Sequence, residues 1–377
     1  MKSFVVFCVL IISIKYSSAQ NDTVKLQPFS YYVSYVGDAV NNLSGGIKKG
    51  SNYLGMFNLK ISFETEKAKL WKGGQLFING ANTHGGTPSA DLIGDFQGIS
   101  NIEAGNLTYF HELWYKQTIE DISLTIGVQD LNTDFISSEN AGLFTNGTFG
   151  THSTISDNVP APVFPLTAFG ANFQYKISDN ITGKVIAYDG FPDDFENNPN
   201  NLKWKFSRKD GVLTISEFTY SDTFNNNLSG TYKIGGYSHN HFSKEQDSLE
   251  ISNNYGFYFV ADQTIYKNST GRQLSLFAQA SISPKQINEN CHYLGFGFNY
   301  YGLFAKRTAD IFGIAVAYAG FAQKNPNNET ILELTYKLQI DENIFVQPDF
   351  QYVINPSGTT EKLNNAFIAK LRFGLNF

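Results

Sequence analysis

The last thirteen residues, Asn365 to Phe377, read N-A-F-I-A-K-L-R-F-G-L-N-F, and their side chains divide by parity. Phe367, Ala369, Leu371, Phe373, Leu375 and Phe377 share one parity. Ile368, Lys370, Arg372, Gly374 and Asn376 share the other. A period of two belongs to a β-strand with two unlike faces. One face is wholly apolar and the other carries two cations, the pattern of a strand with hydrocarbon on one side and water on the other. A sheet of such strands must deal with its edges, and closing into a barrel removes them.

The rest of the chain agrees. It has 377 residues and is 42% hydrophobic, yet beyond the N-terminus no apolar run is long enough for a spanning helix. Its 33 Phe, 21 Tyr and 33 Gly favour an all-β protein. A formal charge of −6 gives no basis for binding nucleic acid. At the N-terminus Lys2, the apolar stretch Phe4 to Ile14 and the small residues Ser17-Ser18-Ala19 read as a signal peptide over residues 1–19. The competing reading, a membrane anchor, is opposed by the shortness of the apolar stretch. This leaves residues 20–377 as a single barrel domain. Cys8 falls in the leader, so Cys291 stands alone, and the lack of disulfides suits a bacterial envelope protein better than a secreted eukaryotic one.

Strand-like segments are expected near 30–40, 52–64, 73–83, 110–118, 122–131, 166–178, 181–190, 212–221, 228–239, 254–265, 273–283, 292–303, 311–322, 330–340, 344–354 and 365–377. The expected fold is therefore a 16-stranded antiparallel transmembrane barrel. Short turns at 119–121, 178–180 and 341–343 alternate with long connections at 84–109, 132–165, 190–211 and 240–253. With the first strand entering from the periplasm, the short turns are periplasmic and the long loops external, as in outer-membrane barrels. Phe169, Ala171, Phe173, Tyr175 and Ile177 alternate with Gly170, Asn172, Gln174 and Lys176. Leu332, Leu334, Tyr336, Leu338 and Ile340 alternate with Glu333, Thr335, Lys337 and Gln339. Lys or Arg facing lipid costs about 2–4 kcal/mol at the bilayer midplane, so the charged parity must face the lumen. Segments 181–190 and 212–221 do not alternate cleanly and receive no face assignment.

Several segments, in order along the chain, resemble the carbohydrate-selective porin family (OprB type). Glu112-Leu113-Trp114-Tyr115 followed by Gln129-Asp130-Leu131-Asn132 looks like that family's strand pair before its long third loop. Asn140 to Gly150 looks like the loop, and Phe164-Pro165-Leu166 leading to Gly170 like the return strand. Lys233-Ile234-Gly235, and Gly302-Leu303 with Arg307 and Asp310, resemble later strands and a turn. Val346 to Pro356, V-Q-P-D-F-Q-Y-V-I-N-P, is the most specific match. Val128 departs from the basic residue that family members often carry before the Gln-Asp pair. A terminal Phe also resembles the C-terminal signature of outer-membrane barrels. The resemblance implies a sixteen-stranded barrel through which sugars such as glucose diffuse across the outer membrane, with lipid and lipopolysaccharide around it. Many porins are homotrimers, and no segment here identifies a subunit interface.

Such a function needs no reaction and no cofactor. It needs a water-filled bore, a constriction, and lining groups that exchange hydrogen bonds with a solute. Glu112, Trp114 and Lys116 share one parity and form the foremost candidate: charges for sugar hydroxyls, an indole for the C–H face. The competing reading puts Trp114 in an aromatic girdle, which would turn both charges toward lipid. Further lumen candidates are Gln129, Asn172, Gln174, Lys176, Lys233, Glu333, Lys337, Gln347, Asp349, Gln351, Lys370 and Arg372. Segment 132–165 is too long to be an idle connection. It is expected to fold inward as the constriction, offering Asp134, Glu139, Asn146 and His152. A surface cap is the alternative.

Enzymatic signals are poor. There is no G-x-S-x-G elbow, and His239 with His241 lacks a third metal ligand. Gly45 to Ser51 is Gly-rich but lacks the P-loop lysine. Asp193, Asp194 and Glu196 read by default as a solvated cluster. Three alternatives stay open: a non-selective diffusion porin, a barrel-embedded lipid hydrolase, and a secreted all-β binding protein.

Overall fold

A computed structural model describes residues 27–377 except 205, 207, 208, 225, 226, 243–251, 323–327 and 360. The segment read as a signal peptide lies outside the described residues. Each expected segment is a strand: β1 (Phe29–Gly46), β2 (Gly50–Glu64), β3 (Gly74–Gly85), β4 (Leu107–Ile119), β5 (Ile122–Gln129), β6 (Ala168–Lys176), β7 (Ile181–Asp189), β8 (Val212–Phe224), β9 (Leu228–Phe242), β10 (Ser252–Lys267), β11 (Gln273–Ile282), β12 (Asn290–Tyr301), β13 (Ile311–Phe321), β14 (Glu329–Gln339), β15 (Ile344–Ile354) and β16 (Asn364–Asn376). Each pairs antiparallel with its neighbours in sequence, and β1 pairs with β16 to close the barrel. At that seam Val33 and Phe377 exchange backbone hydrogen bonds of 2.8 Å.

The two faces of the wall follow the parity. Phe173, Leu332, Leu334, Phe350, Tyr352 and Leu371 are exposed on the outside, while Asn172, Glu333, Asp349, Gln351, Lys370 and Arg372 are buried on the inside. A wall of this kind presents hydrocarbon outward and keeps its charges in. β7 and β8 alternate poorly for a physical reason. Their inner faces are apolar too, because Ile186, Tyr188, Leu213 and Ile215 join a cluster with Leu131, Phe135, Ile136 and Ile155 from the segment after β5. In β4 the pairing with β3 slips between Asn79 and Gly80. That bulge lets consecutive residues, His111 and Glu112, both be buried.

At the end of the barrel opposite the termini, the connections 86–106, 130–167 and 190–211 are long, but β1 and β2 are joined by only 47–49. Gly45 and Gly46 make that turn with φ of +70° and +63°. A Cβ on Gly45 would lie 1.9 Å from the Asn365 carbonyl oxygen, so the turn needs glycine on both counts.

Candidate functional site

Segment 130–167 lies inside the barrel, because it bonds to the inner faces of strands on several sides. It begins with α1 (Leu131–Asp134), whose first turn is capped by the Asp130 carboxylate accepting from Asn132 N at 2.8 Å. Ile136 N donates to Glu217 of β8 at 2.9 Å. Ser138 Oγ and Asn140 N donate to Asp262 of β10 at 2.7 and 3.1 Å. Thr145, through N at 2.6 Å and Oγ1 at 2.8 Å, and Asn146 N at 3.1 Å donate to Glu333 of β14. Further on, Phe149 O accepts from Gln279 of β11 at 3.0 Å, and α2 (Ser153–Ser156) is held by Tyr237 OH of β9 donating to Thr154 O at 2.6 Å. Three carboxylates thus bind a run of backbone amides, and charge-assisted bonds of this kind are about twice as strong as neutral ones.

Segment 86–106 enters beside it. A single π-helical turn, Ser89–Ile93, ends at Gly94. Glu329 of β14 accepts from Phe96 N at 2.8 Å and Gln97 N at 3.0 Å. Arg372 of β16 makes a two-pronged bond to Asp38 of β1, at 2.7 and 2.8 Å, and a third to Asn101 Oδ1 at 2.7 Å. Ser100 Oγ donates to Asp38 at 2.6 Å, and Lys370 Nζ to Ile99 O at 2.7 Å. The two inserts are stitched together by Asn101 N donating to Thr145 O and Gly147 N donating to Gly98 O, at 2.8 and 2.7 Å.

Within this second insert the Glu103 carboxylate accepts from Ser89 N at 3.1 Å. Burial, and then the neighbouring Asp95 carboxylate, push Glu103 up to about 7. An acid raised in the fold stabilises fully below its ordinary value, and that contribution is lost as pH rises through the folded one. Amide hydrogen exchange over 86–106, corrected for intrinsic rate, is therefore expected to be faster at pH 8 than at pH 5.5. Glu103→Gln should narrow the difference, the remainder belonging to its neighbour Asp95, whose carboxyl burial pushes up to about 6; a pH dependence unchanged in that variant would assign it to other groups.

The residues singled out in the sequence fall into three groups. The first holds the inserts in place rather than lining open water. It includes Glu333, Gln351, Lys370 and Arg372; Gln347 joins it, donating to Leu143 O at 2.9 Å. So do Asn172, donating to Asp134 at 2.9 Å, and Lys233, donating to Ser137 O at 2.7 Å. Asp349 and Gln129 are buried as well but bond the wall itself, Asp349 to Lys370 at 3.5 Å and Gln129 to Gly170 O at 2.9 Å. Asn146 is fully buried and bonded to Gln351 at 3.2 Å, and His152 is equally buried, its ring stacked on Tyr293 at 4.9 Å. Neither offers the solute contact expected of it, because the insert packs against the wall instead of hanging free.

The second group is a single residue. Lys176 is expected in the lumen, but it lies at the end of β6 and pairs with Asp179 in the turn at 2.7 Å. The third group stays accessible: Trp114, Lys116, Gln174, Lys337 and Asp134 are half-buried and Glu139 is exposed. Trp114 Nε1 donates to Glu112 at 3.3 Å, and Thr133 of the insert donates to the same carboxylate at 3.3 Å. Trp114 also stacks on Phe77 of β3, ring centroids 4.7 Å apart and planes at 21°. Phe77 sits on the polar parity with Gln75 and Asn79, a signal of the same kind that marked Trp114. The wall acids Asp38, Glu217, Asp262 and Glu329, and the His111–Asp130 pair at 3.0 Å, were also missed.

Among the described residues no group of three or more His, Cys, Asp or Glu could hold a metal ion. His239 instead donates to Gly190 O at 2.7 Å. Asp194 is exposed and accepts from Asn197 N at 2.9 Å within its own loop.

A closed sixteen-stranded wall, apolar outside and charged inside, with long segments folded into its bore, defines a porin. The chain belongs to the carbohydrate-selective porin (OprB) family, whose model matches residues 48–377. It is similar to Porin B of Pseudomonas aeruginosa, 23% identical, with 91% of this chain and 86% of that one covered. It is also similar to the putative porin QuiX of Acinetobacter baylyi, 22% identical, with 95% and 91% covered. Among solved structures the high-pH form of Pseudomonas putida OprB matches with a TM-score of 0.82 at 22% identity, over 93% of this chain and 94% of that one. The low-pH form of the same protein matches at 0.63. The molecule is a sugar-diffusion porin of the outer membrane, a channel rather than an enzyme.

Proposed function

We propose that glucose and other small sugars cross this barrel over the Phe77–Trp114 face, with segment 130–167 as the constriction. The stacked pair beside Glu112 carries the reading. An aromatic face accepts the C–H side of a pyranose, and Lys116, Thr133 and Asp134 supply groups that exchange hydrogen bonds with its hydroxyls, while the buried Glu112 carboxylate holds Trp114 and Thr133 in place. Charge and hydrogen-bonding groups at a narrow point set the selectivity of a pore. The long connections face the outside, the termini face the periplasm, and residues 1–19 direct export.

Single-channel conductance of the refolded mature protein, titrated with glucose, tests this. Saturable block is expected, and Trp114→Ala should raise the half-blocking concentration about tenfold, equivalent to about 1.4 kcal/mol. An unchanged half-blocking concentration would remove the aromatic face from the site. Indifference to every sugar would leave a general diffusion porin.

A further inference from the structure

Below the two inserts, on the side of the termini, the lumen holds a cavity of about 240 Å³. Its wall comes from β14, β15 and β16, through Lys337, Phe345, Gln347 and Arg372, and its roof from the inserts, through Asn101 and Leu143. Lys337 and Phe345 flank the 340–343 turn, which fixes the cavity at that end.

The two cations here are not equivalent. The Arg372 guanidinium is engaged with Asp38 and Asn101. For Lys337, among the described residues, no carboxylate lies within ion-pair distance. Its ammonium sits 4.4 Å from the centroid of the Phe345 ring. Glu333 and Asp349, the acids deeper along the same wall, are occupied by the amides of Thr145 and Asn146 and by Lys370. A half-buried cation over an aromatic ring, with no counter-charge, attracts an anion and has none of its own. Around it stand complementary polar atoms. Gln347 donates its amide N–H groups to Leu143 O and Thr335 Oγ1, at 2.9 Å each, leaving its carbonyl oxygen to accept. Asn101 uses its carbonyl on Arg372, leaving its own amide N–H to donate.

We propose that this cavity is a subsite for a polyhydroxy carboxylate, a sugar acid, distinct from the Phe77–Trp114 face. The carboxylate takes the Lys337 ammonium. Hydroxyls take the Gln347 carbonyl and the Asn101 amide, and the carbon chain lies along Phe345 and Leu143. One ammonium suits a monoanion, since the fork of Arg372 is already filled. The inference rests on the porin reading and narrows its substrate class.

Gluconate and glucose, each titrated against single-channel current of the refolded full barrel, decide it. Gluconate is expected to block saturably at a half-blocking concentration at least tenfold below that of glucose, and less well as salt rises. In Lys337→Met the ratio of the two half-blocking concentrations should collapse toward one, and Lys337→Arg should largely restore it. Gluconate no better than glucose, or both solutes shifted equally by Lys337→Met, overturns the subsite while glucose block leaves the porin standing. A barrel that migrates as folded on unheated gels yet conducts nothing would overturn both.

Discussion

Excision of residues 132–161 is expected to raise single-channel conductance about threefold or more, because pore diameter sets conduction. The cut is compatible with the fold, since Leu131 N donates to Pro162 O at 2.8 Å and the ends already meet. What remains is a wall whose strand ladder does not involve the insert. Glu217, Asp262 and Glu333 lose their amide partners but gain water, so no charge is stranded in a dry interior. The cost falls on the apolar patch of Ile186, Tyr188, Leu213, Ile215 and Val260, which the insert covers in the intact chain. Sugar block should weaken along with the rise in conductance, since Thr133 and Asp134 go with the loop. Conductance at the intact level would show that the restriction lies elsewhere.

Arg372→Met should destabilise the barrel by about 3–5 kcal/mol, the usual penalty for leaving a buried charge without its partner. Asp38 is 0% exposed and receives both prongs of the guanidinium. Met matches the length of the arginine stem but offers no donor, so Asp38 would keep only Ser100 at 2.6 Å. Urea unfolding followed by tryptophan fluorescence measures the loss. The double variant Asp38→Asn with Arg372→Met should recover most of it, because the stranded charge is then gone. A loss under about 1 kcal/mol would mean that the pair is hydrated and behaves as a surface salt bridge.

The strands were legible because lipid enforces parity more strictly than a protein core does. Lys370, Arg372, Glu333 and Asp349 can only point inward, and each identifies the face of its whole strand. β7 and β8 resisted for the converse reason. Ile186 and Leu213 face inward against Phe135 and Ile155, residues far away in sequence, so local periodicity carries no trace of the contact. The bulge at His111 is equally silent, since nothing in H-E-L-W-Y announces a slip in pairing. In the site, residue type and orientation were readable, but partners were not. Gln347 and Lys233 look like pore lining until the backbone carbonyls of Leu143 and Ser137 come into view. Trp114 was found because it stands between two charges. Phe77 stands between Gln75 and Asn79 on the same kind of face, but two amides mark a lumen-facing ring less sharply than two charges do.

The seam between the first and last strands also bears on how the barrel forms. Tyr32 OH and Asn376 Oδ1, 2.7 Å apart, belong to residues separated by 344 positions. Contacts so distant in sequence are made late and slowly. Until they form, β1 and β16 each present a bare edge able to recruit a foreign strand. The inserts touch both sides of that gap, Ser100 on Asp38 of β1 and the Ile99 carbonyl on Lys370 of β16. The segments that narrow the bore in the finished molecule can therefore also act as an internal former, bringing the two edges into register before the ring shuts.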